Sequence, residues 1–121
     1  MNAKDILDNT LKMMGYSDSD GNTELTARIR NQAVVVVNLV YSDLWRACNT
    51  GEFEPIESLD NEINLPKKAL GDVFIYGLAM HIARSENDGD QQQYYTMHYN
   101  SKRSGLTQYE TVKNAIPYPD C

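Results

Sequence analysis

The sequence predicts a mainly α fold: a small four-helix bundle with a long central helix, an irregular acidic loop or short hairpin, and an extended C-terminal tail. Three observations lead there. Apolar residues recur at three- and four-residue steps in separate stretches. Turn formers fall between those stretches, and residues 22–50 contain neither Gly nor Pro. The 121 residues, 41% hydrophobic and 23% charged, are enough to bury one core without disulfide or metal staples.

The first helix is expected over residues 3–14, where Ile6, Leu7, Leu11 and Met14 share a face and Gly15 supplies a stop. Residues 17–23 read as a loop of Ser, Asp, Gly and Asn. Thr23 is placed to cap the second helix, with Glu24 favourable in its first turn. Leu25, Ile29, Ala33, Val36, Val37, Val40 and Leu44 then keep a helical stripe to about Cys48. The valines at 34–37 favour a strand locally, but the stripe continues on both sides of them. A helix of about 25 residues spans roughly 38 Å. Val34 and Val35 widen its apolar face, as a central helix requires, and Trp45 near its end reads as core.

Asn49-Thr50-Gly51 ends that helix. Residues 52–64 then carry Glu52, Glu54, Glu57, Asp60 and Glu62 and no basic residue. Phe53, Ile56, Leu59 and Ile63 are scattered among them. With Pro55, the segment reads as an extended loop, or as a hairpin turning near Asp60-Asn61. It is long for a connection in a compact domain, and it is open to two roles: a solvated link, or a channel-lining or partner-facing surface.

Leu65-Pro66 opens the third helix, since proline in a first turn gives up an N–H that would have no partner. Leu70, Val73, Phe74, Gly77, Met80 and His81 share a face. Gly71 and Gly77 each cost roughly 1 kcal/mol against alanine inside a helix, which points to close approach by a neighbour. Asn87-Asp88-Gly89-Asp90 is a turn, with Asp88 as cap of a fourth helix bearing Tyr94, Tyr95, Met97, His98 and Tyr99. Lys102 and Arg103 suit its C-terminal dipole, and Gly105 is the expected stop. Residues 106–121 show no helical period and contain Pro117 and Pro119, so the chain divides into a helical domain, 1–105, and a tail, 106–121.

The net charge of −6 argues against a dedicated nucleic-acid binder, which needs a basic face to displace counterions from phosphate. It leaves room for a protein that encircles DNA without gripping it. No apolar run approaches the ~20 residues of a membrane span, and the N-terminus lacks signal-peptide form, so a cytoplasmic protein with free thiols at Cys48 and Cys121 is expected. His81 and His98 have no converging ligands in the pattern, Ser42, Asp43 and His81 lack a nucleophile elbow, and all seven glycines are isolated. The sequence therefore predicts no catalytic residue, no metal and no cofactor, and not an enzyme.

From Leu65 to Arg103 the chain resembles bacteriophage head–tail adaptor (connector) proteins. The resemblance rests on Leu65-Pro66 opening a helix, Asp72, the run Tyr76-Gly77-Leu78-Ala79, Ala83, the turn Asp88-Gly89-Asp90, and Tyr94-Tyr95 and Tyr99 on the next helix. The short first helix, the long second one ending near Trp45 and the acidic link extend it over residues 1–105. It implies a virion protein of the neck, assembled in the host cytoplasm. Its subunits form a homo-oligomeric ring of about twelve below the portal protein. The ring extends the DNA channel without specific binding, spans no membrane, and meets other neck and tail completion proteins.

It also implies roles for residues. Tyr94, Tyr95 and Tyr99 are subunit-interface candidates, though they read equally as core. Leu106, Tyr109, Val112, Ile116 and Tyr118 are candidates for docking the tail on the portal or a neighbouring subunit. A second function fits the same composition: a cytoplasmic helical protein-binding module or regulator.

Overall fold

The computed structural model describes residues 1–16, 23–48 and 51–115, with side chains for all of these but 23–28, 30 and 107–115. The expected four helices form: α1 (Ala3–Met14), α2 (Thr23–Cys48), α3 (Phe74–Ser85) and α4 (Gly89–Ala115). Among the described residues there is no strand, and the only β-type pairing is an isolated antiparallel bridge between Asn2 and Glu62.

α1 is closed at both ends by its own sequence. Asn2 Oδ1 accepts the Asp5 N–H at 2.9 Å, satisfying a donor of the first turn. Gly15, at φ 85°, donates to the Lys12 carbonyl, and the Tyr16 N–H reaches the Leu11 carbonyl at 2.8 Å. This left-handed stop is where glycine is required. Ile6, Leu7 and Leu11 are buried as expected, and so is Thr10, whose hydroxyl donates to the Ile6 carbonyl at 2.8 Å.

α2 is helical straight through the valine run. Val37, Val40, Leu44 and Cys48 are buried in the main core with Ile6, Phe74 and Leu78. Burial along one stripe outweighs the strand preference of β-branched residues. Val35 falls off that stripe and is 64% exposed.

The third helix does open after Pro66, whose carbonyl accepts the Ala69 and Leu70 N–H groups. It is not continuous. Ala69–Val73 form a π-helical turn, and Gly71 at φ −71°, ψ −112° leaves the helical region. A Cβ on Gly71 would meet nothing within 4 Å, so this glycine serves a kink rather than the close approach its sequence position suggested. Gly77 does mark a close approach: a Cβ there would lie 2.7 Å from Val40 Cγ1 and 2.8 Å from Tyr99 Cε1. α2, α3 and α4 meet at this point.

Asp88 caps α4 as predicted, with Oδ1 accepting the Gln91 N–H at 3.1 Å. α4 runs antiparallel to α3: Tyr95 packs with Ala79 and Ala83, Tyr99 faces Gly77, and Lys102 pairs with Asp72. Gly105 does not stop it. The helix continues to Ala115, and Leu106 is 4% exposed in the main core. Leu106 therefore belongs to the bundle, and the division at 105/106 is corrected. An unpartnered glycine ends a helix only if it turns left-handed, and here the apolar seat of Leu106 one residue on favours continuing the turn.

Candidate functional site

The acidic segment is an irregular loop, not a hairpin, and it is held from two sides. Three residues of α2 at helical spacing hold its inner edge. Asn38 Oδ1 accepts the Ile56 N–H at 2.9 Å and Asn38 Nδ2 donates to the Ile56 carbonyl at 3.0 Å. The Tyr41 hydroxyl accepts the Asn64 N–H at 3.0 Å, and Trp45 Nε1 donates to the Gly51 carbonyl at 2.7 Å. On the other side Ala3 and Lys4 donate backbone N–H groups to the carbonyls of Asn61 and Leu59. Asn61 Oδ1 closes the turn by accepting from the Glu57 and Ser58 N–H groups.

Ile56 and Ile63 sink into the core, so the intervening carboxylates point outward. Glu52, Glu54, Glu57, Asp60 and Glu62 are all exposed. Glu62 pairs with the Met1 ammonium at 2.8 Å. An open groove of about 610 Å³ lies beside the loop, lined by Tyr41, Trp45, Glu52, Glu54, Glu57 and Glu62 among others. The Tyr41, Trp45 and Phe53 rings meet edge to face at 5.1 to 6.1 Å and stiffen its wall. Sequence reasoning found these acids. It missed Asn38 and Tyr41, whose bonds 18 and 23 positions along the chain leave no mark in a local period.

A second cluster joins α2 to α4. Arg103 grips Asp43 with both prongs, Nε to Oδ2 at 2.7 Å and a terminal nitrogen to Oδ1 at 3.0 Å, while the Tyr99 hydroxyl donates to Asp43 Oδ2. Burial pushes the Asp43 carboxyl up, but the Arg103 and Tyr99 bonds and the charges of Arg103 and Arg46 outweigh it and hold the group below its usual range. The same pairing raises Arg103, while burial and the adjacent carboxylate push the Tyr99 phenol up. Asp43 thus accepts three bonds, from Tyr99 and Arg103. Ser42 donates instead to the Leu39 carbonyl at 3.1 Å, so neither residue is bonded to His81. Burial and the Arg84 charge lower His81, and Asp43 opposes them.

The outer face of α4 carries the third feature. His98 stacks on Tyr76 at 5.1 Å and meets Tyr94 at 4.5 Å, and Lys102 Nζ lies 5.7 Å from the Tyr76 ring centre. Tyr94 is 50% exposed and Met97 61%. On α2, Val35 and Leu39 form a separate exposed apolar pair, Leu39 at 52%.

The three interface candidates thus divide. Tyr95 and Tyr99, four residues apart, face the core and are buried, while Tyr94, about 100° away around the helix, faces outward. Tyr95 and Tyr99 are corrected to core residues. Of the tail candidates Leu106 is core, whereas the Tyr109 and Val112 side chains, Ile116 and Tyr118 lie outside the described residues, as does Cys121. Among the described residues, no three His, Cys, Asp or Glu side chains are placed to hold one metal ion. No described helix is long and apolar enough to cross a membrane. Comparison with known protein families, curated proteins and solved structures finds no match for the chain.

Proposed function

We propose that the chain is a structural subunit of a bacteriophage neck, a head–tail adaptor that closes with its own copies into a ring of about twelve below the portal. The observation that carries this reading is the pair of separate exposed apolar surfaces, Val35–Leu39 on α2 and Tyr94–Met97 on α4. A head-to-tail ring contact joins two different surfaces of each subunit, and these two separate apolar pairs are candidates for the two sides of such a contact. The motif that resembles adaptors also falls on residues that build the bundle: Gly77 at the three-helix contact, Ala79 and Ala83 under Tyr95, and Asp88 as cap.

The exposed carboxylates of the loop suit either a lumen that DNA slides through or a basic neighbour in the neck. The groove they line supports a second reading as well, a helical binding module for a basic host protein. Quantitative mass spectrometry of gradient-purified virions separates the two. About one copy per portal subunit is expected for a ring of matching symmetry. Absence from particles that contain portal, with a one-to-one complex in the host cytoplasm, would overturn the adaptor reading in favour of the module.

A further inference from the structure

The two halves of α4 are held by different chemistry. The first half is welded to α3: Asp88 caps it, Tyr95 fills the notch over Ala79 and Ala83, and the Tyr99 ring abuts Gly77. Among the described side chains beyond Tyr99, residues 100–106, one is a buried apolar anchor, Leu106. The Lys102–Asp72 pair there is too exposed, at 36% and 72%, to hold a helix. Beside Leu106, what the described side chains supply to bind this stretch to α2 is the bidentate Arg103–Asp43 pair, reinforced by the Tyr99 hydroxyl. Both charged side chains of that pair are about a third exposed, 33% and 31%, so water reaches the contact as it cannot reach the Tyr95 notch.

We infer that the Asp43–Tyr99–Arg103 cluster is a clasp, whose release lets residues 100–106 of α4 leave α2 while the rest of the described bundle stays folded. Opening in contiguous units is ordinary for protein domains, and the unit with few apolar contacts opens first. The clasp is suited to this role because its bonds are charge-assisted and directional, so they are lost together rather than by degrees. The inference does not depend on the ring reading.

Hydrogen exchange followed by mass spectrometry on the full chain tests it, comparing wild type with Asp43→Asn and Arg103→Gln. Arg103→Gln leaves Tyr99 bonded to Asp43 and so disturbs the core less. The expected result in both variants is a rise on the order of tenfold in the exchange of amides 100–106, with α1 and residues 89–98 changed less than about twofold. Loss of protection across α1, α3 and α4 together would show a plain stabilising contact and overturn the inference. Unchanged exchange at 100–106 in both variants would overturn it too.

Discussion

Substituting Gly77 by alanine tests the packing at the centre of the bundle. A methyl at that position would sit 2.7 and 3.1 Å from the two Cγ atoms of Val40 and 2.8 Å from Tyr99 Cε1. Ordinary carbon contacts are about 3.5–4.0 Å, so the overlap is roughly 0.7–1 Å on two sides. Neither neighbour yields easily. Valine in a helix has essentially one χ1 rotamer, and Tyr99 is tied to Asp43 through its hydroxyl. Overpacking of this kind costs about 1–3 kcal/mol, here toward the upper end, against a gain of roughly 1 kcal/mol for alanine over glycine in a helix. The expected net loss is about 1–2 kcal/mol, a fall in Tm of roughly 4–10 °C for a domain of this size.

Gly105→Ala is the matched control. Gly105 is helical and exposed, and a Cβ there would meet nothing within 4 Å, so the same substitution should stabilise by about 0.5–1 kcal/mol. Thermal and urea unfolding of both variants, with Val40→Ala added to Gly77→Ala to restore space, measure the two signs. Stabilisation by Gly77→Ala equal to that of Gly105→Ala would refute the three-helix contact.

Five further outcomes are expected. Asn38→Ala removes both bonds to Ile56 and should cost about 2 kcal/mol, with faster exchange of the Ile56 amide in hydrogen-exchange NMR. Leu106→Ala should cost about 2–4 kcal/mol by urea denaturation, where a free tail would give no change. Val35→Glu and Leu39→Glu, at exposed sites, should leave subunit stability within about 0.5 kcal/mol and, on the proposed adaptor reading, abolish ring assembly, read by sedimentation with portal present. For Asp43 the folded pKa is depressed, so its stabilisation is present above the unfolded value near 3.8 and is lost as pH falls through the folded one. The urea midpoint gap between wild type and Asp43→Asn should hold from pH 7 to about 5 and close only in stronger acid. His81 also has a depressed pKa, so wild type should lose stability as pH drops below 6.5, and His81→Gln should lose less over that window.

The helices were legible because their signals are local. The stripe from Ile29 to Leu44, the left-handed stop at Gly15 and the cap at Asp88 all act within about one turn of the chain. Gly105 misled for the same reason: a stop signal was visible, while the core seat waiting for Leu106 was not. The tyrosines of α4 divide by a rotation of one residue, which composition does not register. The clasp was invisible because Asp43 and Arg103 are 60 positions apart. The five acids were found by composition, but the loop backbone that bears them is held by Asn38 and Tyr41, whose neighbours in sequence say nothing of what they bind.

The docking of α1 has a consequence for how the protein is made. Leu7 and Leu11 pack with Ile29, Ala33 and Ile82, and the backbone of Ala3 and Lys4 is taken up by the loop at Leu59 and Asn61. During translation α1 emerges long before its cover. At about 5–20 residues per second, some 70 further residues take roughly 4–14 s to appear. For that interval the nascent chain carries an α1 face not yet fully covered, a natural handle for a ribosome-associated chaperone, and α3, through Ile82, completes the cover.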